Sequence, residues 1–183
     1  MSGIIPLPSE RTPPRSLKPQ MPYAELVSIS NFSFLRGGSH PQELVSAAMQ
    51  LGLTAFGLAD RNSFAGVVRG YVVVRDLAQQ HPHFRYLVGV RLCFADGTPD
   101  IIAYPTDRTA YGWLCKLLTI GNARGEKGKP QLLFTDLFGS DHPLATREQG
   151  PSESYALGQL FILMPDESDW GSTEQTLERM SRE

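Results

Sequence analysis

The stretch SNFSFLRGGSHPQELVSAAMQLGLTAFGLADRN, Ser30 to Asn62, holds the side chains best placed for chemistry. An extended segment, a glycine turn, a helix and a strand ending in an acid could open a divalent-metal site for phosphoester hydrolysis. Such a site needs several deprotonated nitrogen or oxygen ligands. Asp60 is one. Its neighbours in the pattern are Arg36, Arg61 and, after a later strand, Arg91. A guanidinium is a permanent cation with no lone pair to donate. The histidines are scattered: His40 in a first helical turn, His81 and His83 flanking Pro82, and His142 in a polar linker. They read as surface residues. Cys93 and Cys115 stand apart with no paired spacing, which signals neither zinc nor a disulfide framework; both read as reduced core residues. A second candidate is GNARGEKGKPQ, where Arg124, Lys127 and Lys129 lie among glycines and could approach a phosphate backbone. No aromatic residue interleaves with them, so base stacking is not indicated, and the plain alternative is a solvated loop.

The elements that must position these residues follow from periodicity. YAELVSI alternates as a strand. SHPQELVSAAMQLG is a helix, with Ser39 and Gln42 at capping-box spacing and Leu44, Val45, Ala48 and Leu51 as its apolar stripe. TAFGLAD is a short buried strand, and SFAGVVRGYVVVRDLAQQ a second helix. YLVGVRLCF and DIIAYP are strands turning at Asp96-Gly97. Thr106 is placed to cap DRTAYGWLCKLLTIG, whose Tyr111, Leu114, Leu117 and Leu118 share a face. GQLFILMP is a last strand. Ser172 and Gln175 suggest a capped final helix with Leu177 and Met180 on its packing side. The order β-α-β-α-β-β-α-β implies a mainly parallel sheet, open or barrel-forming, with chemistry at the carboxyl ends of the strands. Those ends lie just after Ile29, Ala59 and Val90. Asp100, Asp107 and Asp136 fall at element starts, where caps explain them.

A chain of 183 residues that is 41% hydrophobic can bury a core, and a net charge of -2 leaves no global basic footprint for nucleic acid. Residues 1–22 read as a proline-broken flexible leader in which Arg11, Arg15 and Lys18 are solvated. No apolar run approaches the roughly 20 residues of a spanning helix, so a cytoplasmic location with no membrane partner is expected.

YAELVSISNFSFLRGGSHPQELVSAAMQLGLTAFGLADRNSFAGVVRGY resembles the amino-terminal PHP (polymerase and histidinol phosphatase) domain of bacterial C-family DNA polymerases. SNFSFLRG, SHPQELV and TDRTAYGWLCKLLTIGNARGEKG together are most similar to its error-prone, damage-tolerant branch. The resemblance runs from Tyr23 to Met164. It implies an α/β fold, a distorted PHP-type β/α barrel of which this chain supplies the amino-terminal part, with 165–183 as a tail carrying a truncated helix. It also implies where metal ligands would stand. The family's first-strand histidines fall on Val27 and Ile29, the aspartate before the turn glycine on Arg36, the second-strand pair on Asp60 and Arg61, and the third-strand acid on Arg91. Only Asp60 keeps a donor, so no metal and no catalytic residue is expected in this chain.

What the resemblance implies for function is part of a nucleotidyltransferase that copies damaged DNA and serves DNA replication and repair. Its magnesium would sit in the polymerase domain. Its partners would be the remaining polymerase domains, DNA through them, and other translesion synthesis proteins. The alternatives are a non-catalytic interaction or anion-binding module and, with its ligands gone, a metal-dependent phosphoesterase. If the barrel is only partly present, one strand edge and an apolar face stay uncovered. At the former metal site Arg36, Arg61 and Arg91 are expected to converge, with Asp60 as their internal partner.

Overall fold

A computed structural model describes residues 22–138, 154–165 and 168–182. Residues 1–21 of the expected leader, and His142, lie outside them. The elements are β1 (Ala24–Ser28), α1 (Pro41–Gln50), β2 (Ala55–Arg61), α2 (Val67–Asp76), β3 (Arg85–Leu92), β4 (Ile101–Pro105), α3 (Arg108–Arg124), a 3-10 turn (Phe134–Phe138), β5 (Gln159–Leu163) and α4 (Trp170–Arg182). The five strands form one curled half-barrel sheet in the order β1-β2-β3-β4-β5. The first two pairings are parallel and the last two antiparallel, so the sheet is mixed rather than mainly parallel. The reversal comes at the turn the sequence marks: Gly97 has φ +83°, a conformation glycine adopts without penalty.

Strand alternation sorts the core into two faces. Phe56 and Leu58 pack with Val45, Ala48 and Met49 of α1. Val90, Leu92, Ile101 and Ala103 meet Leu114, Leu117 and Leu118 of α3 and Phe134 of the 3-10 turn. The opposite face carries Ala59, Ile102 and Tyr104, with Leu26, Leu87 and Ile162 around them. This inner face borders a groove of about 680 Å³. β3 pairs with β4 only from Val90 to Leu92, so the two strands diverge below that point.

A bulge interrupts β1 between Glu25 and Ser28, and its displaced backbone groups find side-chain partners. Val27 N–H donates to the Glu25 carboxylate at 2.8 Å, and the Tyr104 hydroxyl donates to the Leu26 carbonyl at 2.6 Å. Tyr104 thus crosses the inner face from β4 to β1. It can do so because Gly57 and Gly89 lie beneath its ring; a Cβ at either position would strike it.

The helix caps differ from expectation by one residue at α1 and α3 and by three at α4. At α1 the His40 N–H donates to the Glu43 carboxylate at 2.9 Å, one step past Ser39 and Gln42. At α3 the cap is Asp107, which accepts from Ala110 N at 2.8 Å, while the Thr106 hydroxyl donates to the Gly158 carbonyl. At α4 Asp169 accepts from Ser172 N at 3.0 Å. Of that helix's expected packing side, Met180 joins the core and Leu177 is exposed, with Thr173 and Thr176 buried instead.

Candidate functional site

β2 places Asp60 and Arg61 in succession, and successive strand residues point to opposite faces. Asp60 goes to the helix side, where it is buried. Its Oδ1 accepts from Ser30 N at 2.7 Å and from Ser33 Oγ at 2.6 Å, and its Oδ2 from Ser30 Oγ at 2.7 Å. Ser33 Oγ in turn accepts from Arg61 N at 3.0 Å. The carboxylate therefore organises the loop between β1 and α1. Gly37 closes that loop so tightly that a Cβ would collide with the Ser30 carbonyl, and Gly66 keeps the α2 start clear of Asp60 Oδ2, 2.9 Å from where a Cβ would lie. The amino end of α2 beside the carboxylate also favours a negative charge there.

Arg61 faces the inner side. The ladder aligns it with Arg91, and Arg91 with Ile102. Both guanidinium groups donate to Oδ2 of Asp100, Arg61 through Nη1 and Arg91 through Nε, each at 2.8 Å. This corrects the expected arrangement: the arginines pair with Asp100, on the turn into β4, and the sheet itself separates them from Asp60. Arg36 does not join them; it is exposed on the loop and makes no ion pair among the described residues. Val27 is exposed on the bulge and Ile29 is half-buried just past β1.

Cys93 lies beside this cluster, half-buried like Cys115 rather than fully in the core. Burial first, then the Asp100 carboxylate, pushes its thiol up to about 12, against the lowering pull of Arg61 and Arg91. It is a neutral neighbour at physiological pH.

These residues do not fit a metal. Both Asp60 oxygens are engaged by the loop, guanidinium groups occupy the inner side, and no group of three or more His, Cys, Asp or Glu residues is arranged for a cation among the described residues.

The glycine-rich loop divides its three cations. Arg124 forks onto Asp136 at 2.7 and 2.8 Å and donates to the Gln131 carbonyl at 3.0 Å, tying the end of α3 to the 3-10 turn. Lys127 is exposed, and Lys129 meets Glu126 only at 3.8 Å in solvent. Arg124→Ala is expected to cost about 1–2 kcal/mol in urea unfolding. Lys127→Ala and Lys129→Ala should each stay within about 0.5 kcal/mol. Equal effects from all three would remove the structural role assigned to Arg124.

A family model for the PHP domain matches residues 25–148. An error-prone DNA polymerase of Rhodopseudomonas palustris strain BisA53 is 59% identical over 115 residues, covering 63% of this chain and 10% of that protein. The one from strain BisB5 is 48% identical over 143 residues, covering 78% and 11%. An error-prone DNA polymerase of Caulobacter vibrioides is 46% identical over 159 residues, covering 87% and 13%. The chain thus spans roughly a tenth of the length of the curated relatives it matches. With most of the chain matched and the curled α/β half-barrel in place, this protein belongs to the PHP domain family.

Proposed function

We propose that this chain is the PHP portion of an error-prone DNA polymerase and acts there as a non-catalytic platform. The supporting observation is the fate of Asp60. The one acid retained at the family's ligand positions is consumed by Ser30 and Ser33 as a loop organiser, and an arginine–carboxylate cluster stands on the inner side. Hydrolysis of a phosphoester needs a nucleophile or a Lewis acid. Neither Asp60 nor the cluster supplies one.

In this reading its partners are the remaining polymerase domains, DNA through them, and other proteins of translesion synthesis and repair in the cytoplasm. Magnesium belongs to the polymerase domain. No helix among the described residues is long and apolar enough to cross a membrane.

Two measurements test the platform. Grafting residues 25–148 in place of the PHP region of the Caulobacter vibrioides enzyme should yield a polymerase that extends primers. The isolated chain should not hydrolyse p-nitrophenyl phosphate with magnesium, manganese or zinc. A soluble chimera without DNA synthesis, or metal-stimulated hydrolysis by the isolated chain, overturns the reading.

A further inference from the structure

We infer that Arg61 and Arg91, brought together by Asp100, form a binding site for a phosphate group. The argument begins with charge. Two guanidinium groups share one carboxylate oxygen, Asp100 Oδ2, which leaves the cluster with a net positive charge. Of the acids next along the chain, Asp60 lies across the sheet and is engaged by Ser30 and Ser33, and Asp96 accepts from Thr98 N and Phe134 N. Cys93 stays protonated and adds no compensating charge. The second guanidinium is therefore surplus to what one internal ion pair requires.

Each arginine keeps unused donors and borders a recess of its own. Arg61 spends Nη1 and Arg91 spends Nε; their other N–H groups make no hydrogen bond among the described residues. Both side chains remain partly open, at 33% and 24%. A recess of about 400 Å³ borders Arg61 together with Phe32, Asn62 and Cys93. A second, of about 310 Å³, borders Arg91 and Asp100 beside Gly97 and Thr98. A tetrahedral oxyanion matches what remains, because guanidinium forks bind phosphate through paired N–H donors. The cluster also sits at the carboxyl ends of parallel β2 and β3, where open α/β sheets collect ligands. The phosphate could be free or part of a nucleic-acid backbone.

The whole chain would be titrated with inorganic phosphate and, separately, with an unphosphorylated oligothymidylate, following the arginine Nε–H resonances by NMR at constant ionic strength with chloride as control. Saturable shifts of Arg61 and Arg91 with either probe support the site. Response to phosphate alone assigns a free or monoester ligand, and response to the oligonucleotide alone assigns a backbone phosphodiester. Asp100→Asn removes the internal competitor and should tighten binding about tenfold, while Arg91→Lys keeps the charge, loses the fork and should weaken it about fivefold. No saturable shift with either probe, shifts equal to those in chloride, or an Asp100→Asn affinity no higher than that of the parent overturns the site. Such a failure leaves the platform reading intact, since that reading rests on Asp60 and on the grafted polymerase.

Discussion

Asp60→Ala is expected to lower the unfolding free energy by about 3–5 kcal/mol, measured by urea denaturation. The substitution removes the acceptor for one backbone N–H and two hydroxyls, all at 2.6–2.7 Å and in a buried setting. Each donor left without a partner away from water costs about 1–3 kcal/mol. The loss would spread, because Ser33 Oγ also accepts from Arg61 N and holds β2 to the loop. Asp60→Asn keeps one carbonyl acceptor but turns an amide donor toward hydroxyl groups, so roughly half the loss is expected. Magnesium, manganese or zinc should not change either result, which separates a loop organiser from a metal ligand. A nearly neutral Asp60→Ala would mean that Ser30 and Ser33 find water instead, and the loop would lose its assigned anchor.

Asp60 and Arg61 show how far the local sequence carries. The order of elements was legible because each has its own period and punctuation: SHPQELV opens a helix, and Asp96-Gly97 turns the chain. The sequence points to the strand ends after Ile29, Ala59 and Val90, and Arg61 and Arg91 lie at two of them. What was lost is direction. The pairing of Arg61 with Asp60 ignores that adjacent strand residues face opposite ways; applying that alternation to TAFGLADR would have put Arg61 with Ala59 on the inner face. The partner, Asp100, is reachable from the same logic, since a hairpin at Asp96-Gly97 returns Ile102 to the level of Arg91 and sets residue 100, two positions before it, on the same face. Its position at a strand start suggested only a cap.

The caps of α1 and α3 are legible to within one residue because Ser39 and His40, or Thr106 and Asp107, are adjacent groups that can each serve an amino terminus, whereas at α4 the acceptor, Asp169, lies three residues before Ser172. Local sequence does not choose between neighbouring cap candidates, and helix ends scatter by one or two residues. Proximity in the sequence groups Arg124 with Lys127 and Lys129. Its partner, Asp136, lies beyond the loop in a 3-10 turn that carries no periodic signal.

Gly57→Ala is the other change expected to have a large effect, and its sign is opposite to propensity. Alanine in place of glycine inside a strand ordinarily stabilises by about 0.5–1 kcal/mol, since the unfolded chain loses freedom. Here the new Cβ would run into the Tyr104 hydroxyl, and at Gly89 it would come 2.5 Å from the ring. Tyr104 cannot retreat cheaply: it is buried, its ring covers both glycines, and its hydroxyl satisfies the Leu26 carbonyl freed by the β1 bulge. Displacing it exposes aromatic area and leaves that carbonyl without its partner, for an expected loss of about 2–4 kcal/mol in urea unfolding. A double-mutant cycle isolates the cause. In a Tyr104→Ala background the space over Gly57 is open, so Gly57→Ala should become neutral or mildly stabilising, giving a coupling above about 1.5 kcal/mol. Equal penalties in both backgrounds would show that the glycine serves the strand backbone itself. The cycle would then count against Tyr104 as the brace that joins β4 to the bulged edge strand.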